Sequence, residues 1–347
     1  MPQRRMLVMT DGHLDVFVAK TAVSLLRYCA DEVVAVLDAQ HAGADLASIV
    51  DVQTHVPIVD SVAAALPLQP DHLVIGVANP GGILPPAWRA TIIEALANGM
   101  DVINGLHTLL TDDEELVRCA ADHGRRIHDL RRVTRTYPIG SGKAAGTRAR
   151  RILTVGTDCN VGKMLASIEL ARDLTSRGHA ARFVATGQTG VLVAGHGEVI
   201  DAVKSDFVSG AVETLVLEAD EEGVEFIVVE GQGAMLHPGF SGVTLGLMHG
   251  VLPDRMILCH QPSRQFMRHT RIPVPALDES IALHQQLLAP IHASRVVAVA
   301  LNCVGMSPQQ IRESIDQTQR ATGGMPAADC ARTGVEPLTD ALLESLA

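Results

Sequence analysis

Residues Gly156-Thr157-Asp158-Cys159-Asn160-Val161-Gly162-Lys163 fit the spacing GxxxxGK between an apolar run, Ile152 to Val155, and an amphipathic one, Gly162 to Arg177. Such a loop needs a strand to deliver it and a helix to leave it, because its backbone N–H groups curl round a phosphate at the helix's positive end. This half of the chain is therefore expected to be a P-loop α/β domain. Gly156, Thr157, Asp158, Cys159, Asn160, Val161 and Gly162 would form the cradle, with Lys163 reaching the outer oxygens. Nucleotide triphosphatases place Ser or Thr next, and its hydroxyl holds Mg²⁺. Here the residue is Met164, whose soft thioether suits a hard cation poorly. The expected site is an anion cradle with no metal, fitted to a diphosphate ligand such as coenzyme A. Mg-ATP chemistry, with water or another carboxylate replacing the hydroxyl, is the alternative.

At 347 residues the chain is long for one core, so two domains are expected. Met6 to Met9, Val33 to Leu37 and Leu73 to Val77 read as buried strands, with a helical pattern at Ala22 to Cys29, which implies βαβ units and a parallel sheet. The fold class is thus α/β, a Rossmann-like domain over residues 1–137 and a P-loop domain over 151–347. Residues 138–150 are read as a linker, at the end of a stretch rich in Arg. In the second half, strands are expected at Ile152 to Val155, Ala181 to Ala185, Phe226 to Glu230, Met256 to His260 and Val296 to Leu301. Ser307-Pro308 marks a helix start.

A net charge of −11 disfavours nucleic acid and anionic membrane as partners, so any anion must be held by a local site. No apolar run approaches a membrane span. The six cysteines lack CxxC or metal-ligand spacing and are expected to be free thiols in a reducing cytoplasm.

Glycine-flanked positions at strand ends supply the remaining candidates. Glu230, in Glu230-Gly231-Gln232-Gly233, is a candidate base or metal ligand, or a carboxylate held by turn amides. Thr186-Gly187-Gln188-Thr189-Gly190 offers hydroxyls, an amide and exposed N–H groups to a substrate. Asp206 is a second candidate base or a helix cap. His260 and Arg264 follow another strand, with Arg264 able to grip a carboxylate bidentately. Asn302 ends a strand where its amide can meet a purine edge. Asn79-Pro80-Gly81-Gly82 follows Leu73 to Val77 as a turn at a sheet's carboxyl edge.

The loop with Val161-Gly162-Lys163, Glu230-Gly231 and Asn302 resembles dethiobiotin synthetase, an ATP-dependent P-loop enzyme. A second resemblance runs over nearly the whole chain. Asn79-Pro80-Gly81-Gly82, Gly105-Leu106-His107, Gly156 to Met164, Asp206 to Glu213, Val229 to Gly233, His237-Pro238 and Leu258 to Pro262 are similar to a family of two-domain P-loop proteins. That family, formerly of unknown function, is associated with N-acetylation of D-glutamate by acetyl-CoA. Met164 belongs to its pattern, whereas Leu165-Ala166 stand where hydroxyl residues are more usual. The resemblance implies an N-acetyltransferase with acetyl-CoA as co-substrate and an acidic D-amino acid, D-glutamate first, as the small-molecule acceptor; a homo-oligomer is compatible with the sequence. It implies a base, Glu230 first and Asp206 second, with Lys163 or loop N–H groups at the oxyanion. An ATP-dependent ligase or carboxylase and a non-catalytic nucleotide-binding regulator are the rival functions.

Overall fold

The computed structural model describes residues 4–15, 18–50, 52–77 and 82–347. Two compact units divide the chain, residues 1–134 and 135–347. In the first, β1 (Met6–Met9), α1 (Lys20–Tyr28), β2 (Val33–Leu37), α2 (Ala47–Val50), β3 (Ile58–Val59) and α3 (Val62–Ala65) are followed by β4 (His72–Ile75), α4 (Trp88–Ala97), β5 (Asp101–Asn104), α5 (Glu114–Asp122) and β6 (Ile127–Asp129). The strands make one parallel sheet in the order β3-β2-β1-β4-β5-β6, that of a Rossmann-like fold. β1 is apolar throughout because it is central and covered on both faces, and none of its residues is more than 1% exposed. At its carboxyl end the fully buried Asp38 accepts hydrogen bonds from Thr10 Oγ1 at 2.7 Å and Gly12 N at 2.9 Å. The loop after β1 thus closes on a carboxylate of the chain itself. Of the expected turn Asn79-Pro80-Gly81-Gly82, residues 79–81 lie outside the described residues.

The second unit contains β7 (Arg150–Gly156), α6 (Lys163–Ser176), β8 (Ala181–Val184), α7 (Gln188–Ala194), α8 (Val208–Glu221), β9 (Phe226–Val229) and α9 (Ser241–Val251). After these come β10 (Arg255–His260), α10 (Leu277–Leu288), β11 (Arg295–Leu301), α11 (Pro308–Ala321), β12 (Ala327–Asp329) and α12 (Glu336–Leu346). Its sheet is also parallel, in the order β12-β11-β10-β7-β9-β8. The chain begins at β7, lays β8 and β9 on one side, then crosses to place β10, β11 and β12 on the other. The strand order therefore reverses beside β7, and the crevice at its carboxyl end is where open α/β sheets bind ligands. Residues Ala166, Leu170 and Leu174 recur every four positions on α6 and pack with Ile152, Val228, Ile257, Ala298, Leu338 and Leu342. Burying Leu170 and Leu174 anchors the helix, and truncating either to Ala would cost about 2–5 kcal/mol.

Residues 138–150, expected to be a linker, fold onto α8. Glu213 on that helix accepts hydrogen bonds from Ser141 N at 2.6 Å, Lys143 N at 2.5 Å and Ser141 Oγ at 2.9 Å. Gly210 permits this approach, since a Cβ there would sit 1.8 Å from Pro138 O. Arg151, at the end of the basic stretch, is 2% exposed and pairs with Asp254 at 2.9 Å. No helix among the described residues is long and apolar enough to cross a membrane.

Candidate functional site

β7 delivers the loop and α6 leaves it. Between them Asn160 and Gly162 take left-handed conformations, φ +55° and +100°, and the glycine lets the chain turn into the helix. The 14 residues of α6 present their positive end to the loop. Lys163 heads the helix but does not face solvent: it is 6% exposed, and Nζ donates to Asp158 O at 2.9 Å. A Cβ at Gly156 would lie 3.0 Å from Nζ, and one at Gly231 would lie 3.0 Å from Lys163 Cδ. These two glycines therefore make the channel for the lysine side chain. Met164 follows, half-buried, where a metal-binding hydroxyl would stand.

The neighbouring strand ends converge on this loop. Thr157 Oγ1 lies 3.0 Å from His260 Nδ1 at the end of β10. Burial, and then the positive charge of Arg264, push the His260 pKa down to about 4, so the imidazole is neutral near pH 7. Asn302, after β11, stands beside the loop, with its Cβ 3.6 Å from the position of a Cβ on Gly162. Its Oδ1 accepts from Val304 N at 3.3 Å.

Glu230 directly follows β9, one residue past its end, next to the lysine channel and is 4% exposed. Its Oε2 accepts from the backbone N–H groups of Thr186 at 3.0 Å and Gly187 at 3.1 Å. The glycine-rich turn is thus organised round this carboxylate. A Cβ at Gly190 would meet Glu230 Oε2 at 2.2 Å, and one at Gly187 would meet Oε1 at 3.1 Å. Thr186, Gln188 and Thr189 are all buried, Thr186 donating from Oγ1 to Glu230 O at 2.6 Å. The Thr186 hydroxyl, expected to face a substrate, is turned to the backbone of Glu230.

Two expected roles change with the geometry. Asp206 is exposed, precedes α8, and makes no side-chain cap to that helix, whose N-cap is Phe207. Arg264, expected to grip a substrate carboxylate, instead turns both terminal nitrogens to the loop. Nη1 donates to Asp158 Oδ2 at 2.7 Å and Cys159 O at 2.6 Å, and Nη2 to Gln261 Oε1 at 2.5 Å.

Some participants were given no role of their own by the sequence. Thr154 Oγ1, buried on β7, accepts from Gly231 N at 2.9 Å and lies 2.9 Å from Ser167 Oγ, joining three elements beneath the loop. Gln232 Nε2 reaches Thr186 Oγ1 at 3.3 Å. His237 donates from Nε2 to Arg268 O at 2.8 Å and accepts Gly239 N on Nδ1 at 3.1 Å. Asp158, Cys159 and His237 bring one ligand-type atom each within 4.8 Å of one another. Both nitrogens of His237 are engaged by backbone groups and both oxygens of Asp158 by donors, and the backbone of Arg268 joins the two residues, its O accepting from His237 and its N donating to Asp158. Burial, and then Asp158, raise the Cys159 thiol above its ordinary pKa, which keeps it protonated and a poor nucleophile.

Residues 138–339 match the DUF1611 C-terminal family model, described as a P-loop domain of unknown function, and residues 39–133 match its N-terminal Rossmann-like partner. A protein of Tritonibacter scottomollicae named D-glutamate N-acetyltransferase is 35% identical over 330 residues, covering 94% of this chain and 95% of its own. A protein of the same name from Pseudoalteromonas sp is 37% identical over 282 residues, covering 80% and 83%. The crystal structure of a DUF1611 family protein from Anabaena variabilis superposes with a TM-score of 0.92 at 36% identity, covering 98% of this chain and all of that one.

Proposed function

The chain belongs to the DUF1611 family and is an acyltransferase, and from that premise we propose that it moves the acetyl group of acetyl-CoA to the amine of D-glutamate. The names of the two relatives support the acceptor and the reaction. On the structural side, the observation that carries the reading is the loop itself: a strand-to-helix phosphate cradle with Lys163 at its head and Met164 in the metal-binding position. Such a loop retains affinity for a diphosphate and loses a ligand for Mg²⁺. A thioester is already activated, so transfer to an amine requires no nucleotide hydrolysis.

In this reading the loop N–H groups, the α6 N-terminus and Lys163 hold the CoA phosphates, with Asn302 at the adenine end. The acceptor enters as an ammonium and must lose a proton before attack. Glu230 is the proposed base because it is buried at the strand end adjoining the Lys163 channel, whereas Asp206 is exposed. The Thr186 and Gly187 amides fix the direction of its carboxylate. Glu230 takes the ammonium's proton and releases it to solvent, the free amine attacks the thioester carbonyl, Glu230 accepts the second nitrogen proton, and the tetrahedral intermediate collapses with cleavage of C–S. The thiolate leaves and takes up a proton as CoA. The raised pKa of Cys159 favours direct transfer over an acetyl-cysteine.

A ligand that binds only the native protein raises the melting temperature. Thermal unfolding with acetyl-CoA, CoA, Mg-ATP and Mg-GTP is expected to show stabilisation by the first two. Stabilisation by Mg-ATP alone would turn the reading toward an ATP-dependent ligase.

A further inference from the structure

Asp158 poses a chemical problem that the proposed function does not resolve. It stands in the middle of an anion-binding loop and its side chain is fully buried. An unpaired carboxylate there would repel the phosphates that the loop is shaped to receive. Its Oδ1 accepts from Cys159 N at 2.7 Å, and its Oδ2 accepts from Arg264 Nη1 and Arg268 N, each at 2.7 Å. Arg264 does more than neutralise it. The same guanidinium donates to Cys159 O at 2.6 Å and approaches Asn160 O at 3.4 Å, while Gln261 Oε1 braces it from behind at 2.5 Å. Peptide groups are planar and trans, so a carbonyl drawn one way points the following N–H the other way. Drawing the carbonyls of residues 159 and 160 toward Arg264 therefore directs the N–H groups of Asn160 and Val161 away from it.

We infer that Arg264 is a positioning residue: paired with Asp158, it fixes the phosphate loop in its anion-binding shape from within the protein. The inference rests on the reading that this loop holds the diphosphate of CoA. It assigns Arg264 to the donor side of the reaction and removes it from the amino-acid pocket. Lysine would keep the charge but lose the planar fork that meets a carboxylate and a carbonyl together.

The test measures calorimetric affinity for CoA and for inorganic pyrophosphate, together with the KM values for acetyl-CoA and D-glutamate, in the full chain. Arg264→Met is expected to weaken both phosphate ligands by about tenfold or more, as for a buried charge deprived of its partner, with the D-glutamate KM within about twofold of its starting value. Arg264→Lys should restore only part of the affinity, and it decides the case if the Met variant does not fold. Asp158→Asn combined with Arg264→Met should lose less than the product of the single losses, as for residues in direct contact. A raised D-glutamate KM with unchanged CoA and pyrophosphate affinity would overturn the inference, as would full affinity in Arg264→Lys or multiplicative losses in the double variant. If the unaltered protein binds pyrophosphate but not CoA, the proposed function fails, and the pyrophosphate series still decides the role of Arg264.

Discussion

Lys163 is read from its motif as a phosphate ligand, yet its side chain is buried and tied to Asp158 O. Replacing it with Ala should therefore lower CoA affinity and also loosen the loop. Calorimetry would show weaker binding, and hydrogen exchange would show faster exchange confined to residues 156–163, with unchanged affinity contradicting the cradle. Glu230→Gln keeps the shape and removes the proton acceptor, so turnover should fall by roughly 10² or more while CoA binding stays. Part of that loss should return at higher pH, where more of the amine is neutral. Asp206→Asn should be near normal, and the reverse pattern would move the base to Asp206. Asn302→Ala is expected to raise the acetyl-CoA KM more than it lowers kcat, the mark of lost uniform binding. The loop and the glycines round Glu230 were legible because backbone geometry demands particular residues at particular spacings. The partners of Arg264 were not legible, since Asp158 and Arg264 are separated by 106 positions and only the fold brings them together.

Among the elements, the long buried strands could be read directly from their apolar runs, and β1 and β2 have the expected bounds. Ser307 and Pro308 open α11 as expected, Ser307 Oγ accepting from Gln310 N at 3.3 Å. The strands that escaped are short or bounded by polar residues: β5, interior to its sheet, reads Asp101-Val102-Ile103-Asn104, and at sheet edges β3 has two residues, β6 reads Ile127-His128-Asp129 and β12 Ala327-Ala328-Asp329. A sheet edge needs little apolar sequence because one neighbour supplies its pairing. Residues 138–150 were misleading for a different reason, since their charge suggested solvent while their backbone satisfies the carboxylates of α8. At Glu213, burial alone would raise the pKa, and the hydrogen bonds from Ser141 and Lys143 outweigh it and lower it. At Asp254, burial is likewise outweighed by Arg151. A lowered folded pKa means stability that is complete above the unfolded values, about 4 for both groups, and is lost as pH falls through the folded ones. Denaturant titrations should show stability declining below about pH 4, and Glu213→Gln should flatten part of that decline while costing about 1–3 kcal/mol at pH 7. An unchanged acid profile in Glu213→Gln would show that the segment's hold on α8 lies elsewhere.

On the scale of the whole molecule, two parallel sheets with different strand orders follow one another, and the family models divide the chain in the same sequence. The fold class was open to reading because alternating apolar and amphipathic segments permit few architectures. The reaction was not, because a phosphate loop serves hydrolases, ligases and transferases alike. The central claim is that this loop serves acetyl transfer without nucleotide or divalent metal. Its most direct measurement follows release of free CoA thiol and formation of N-acetylglutamate by mass spectrometry, from purified protein, acetyl-CoA and D-glutamate in the presence of a chelator. The account predicts equal amounts of the two products, undiminished by chelation and lost in Glu230→Gln. No transfer from acetyl-CoA, or transfer that requires added Mg²⁺ or ATP, would contradict it.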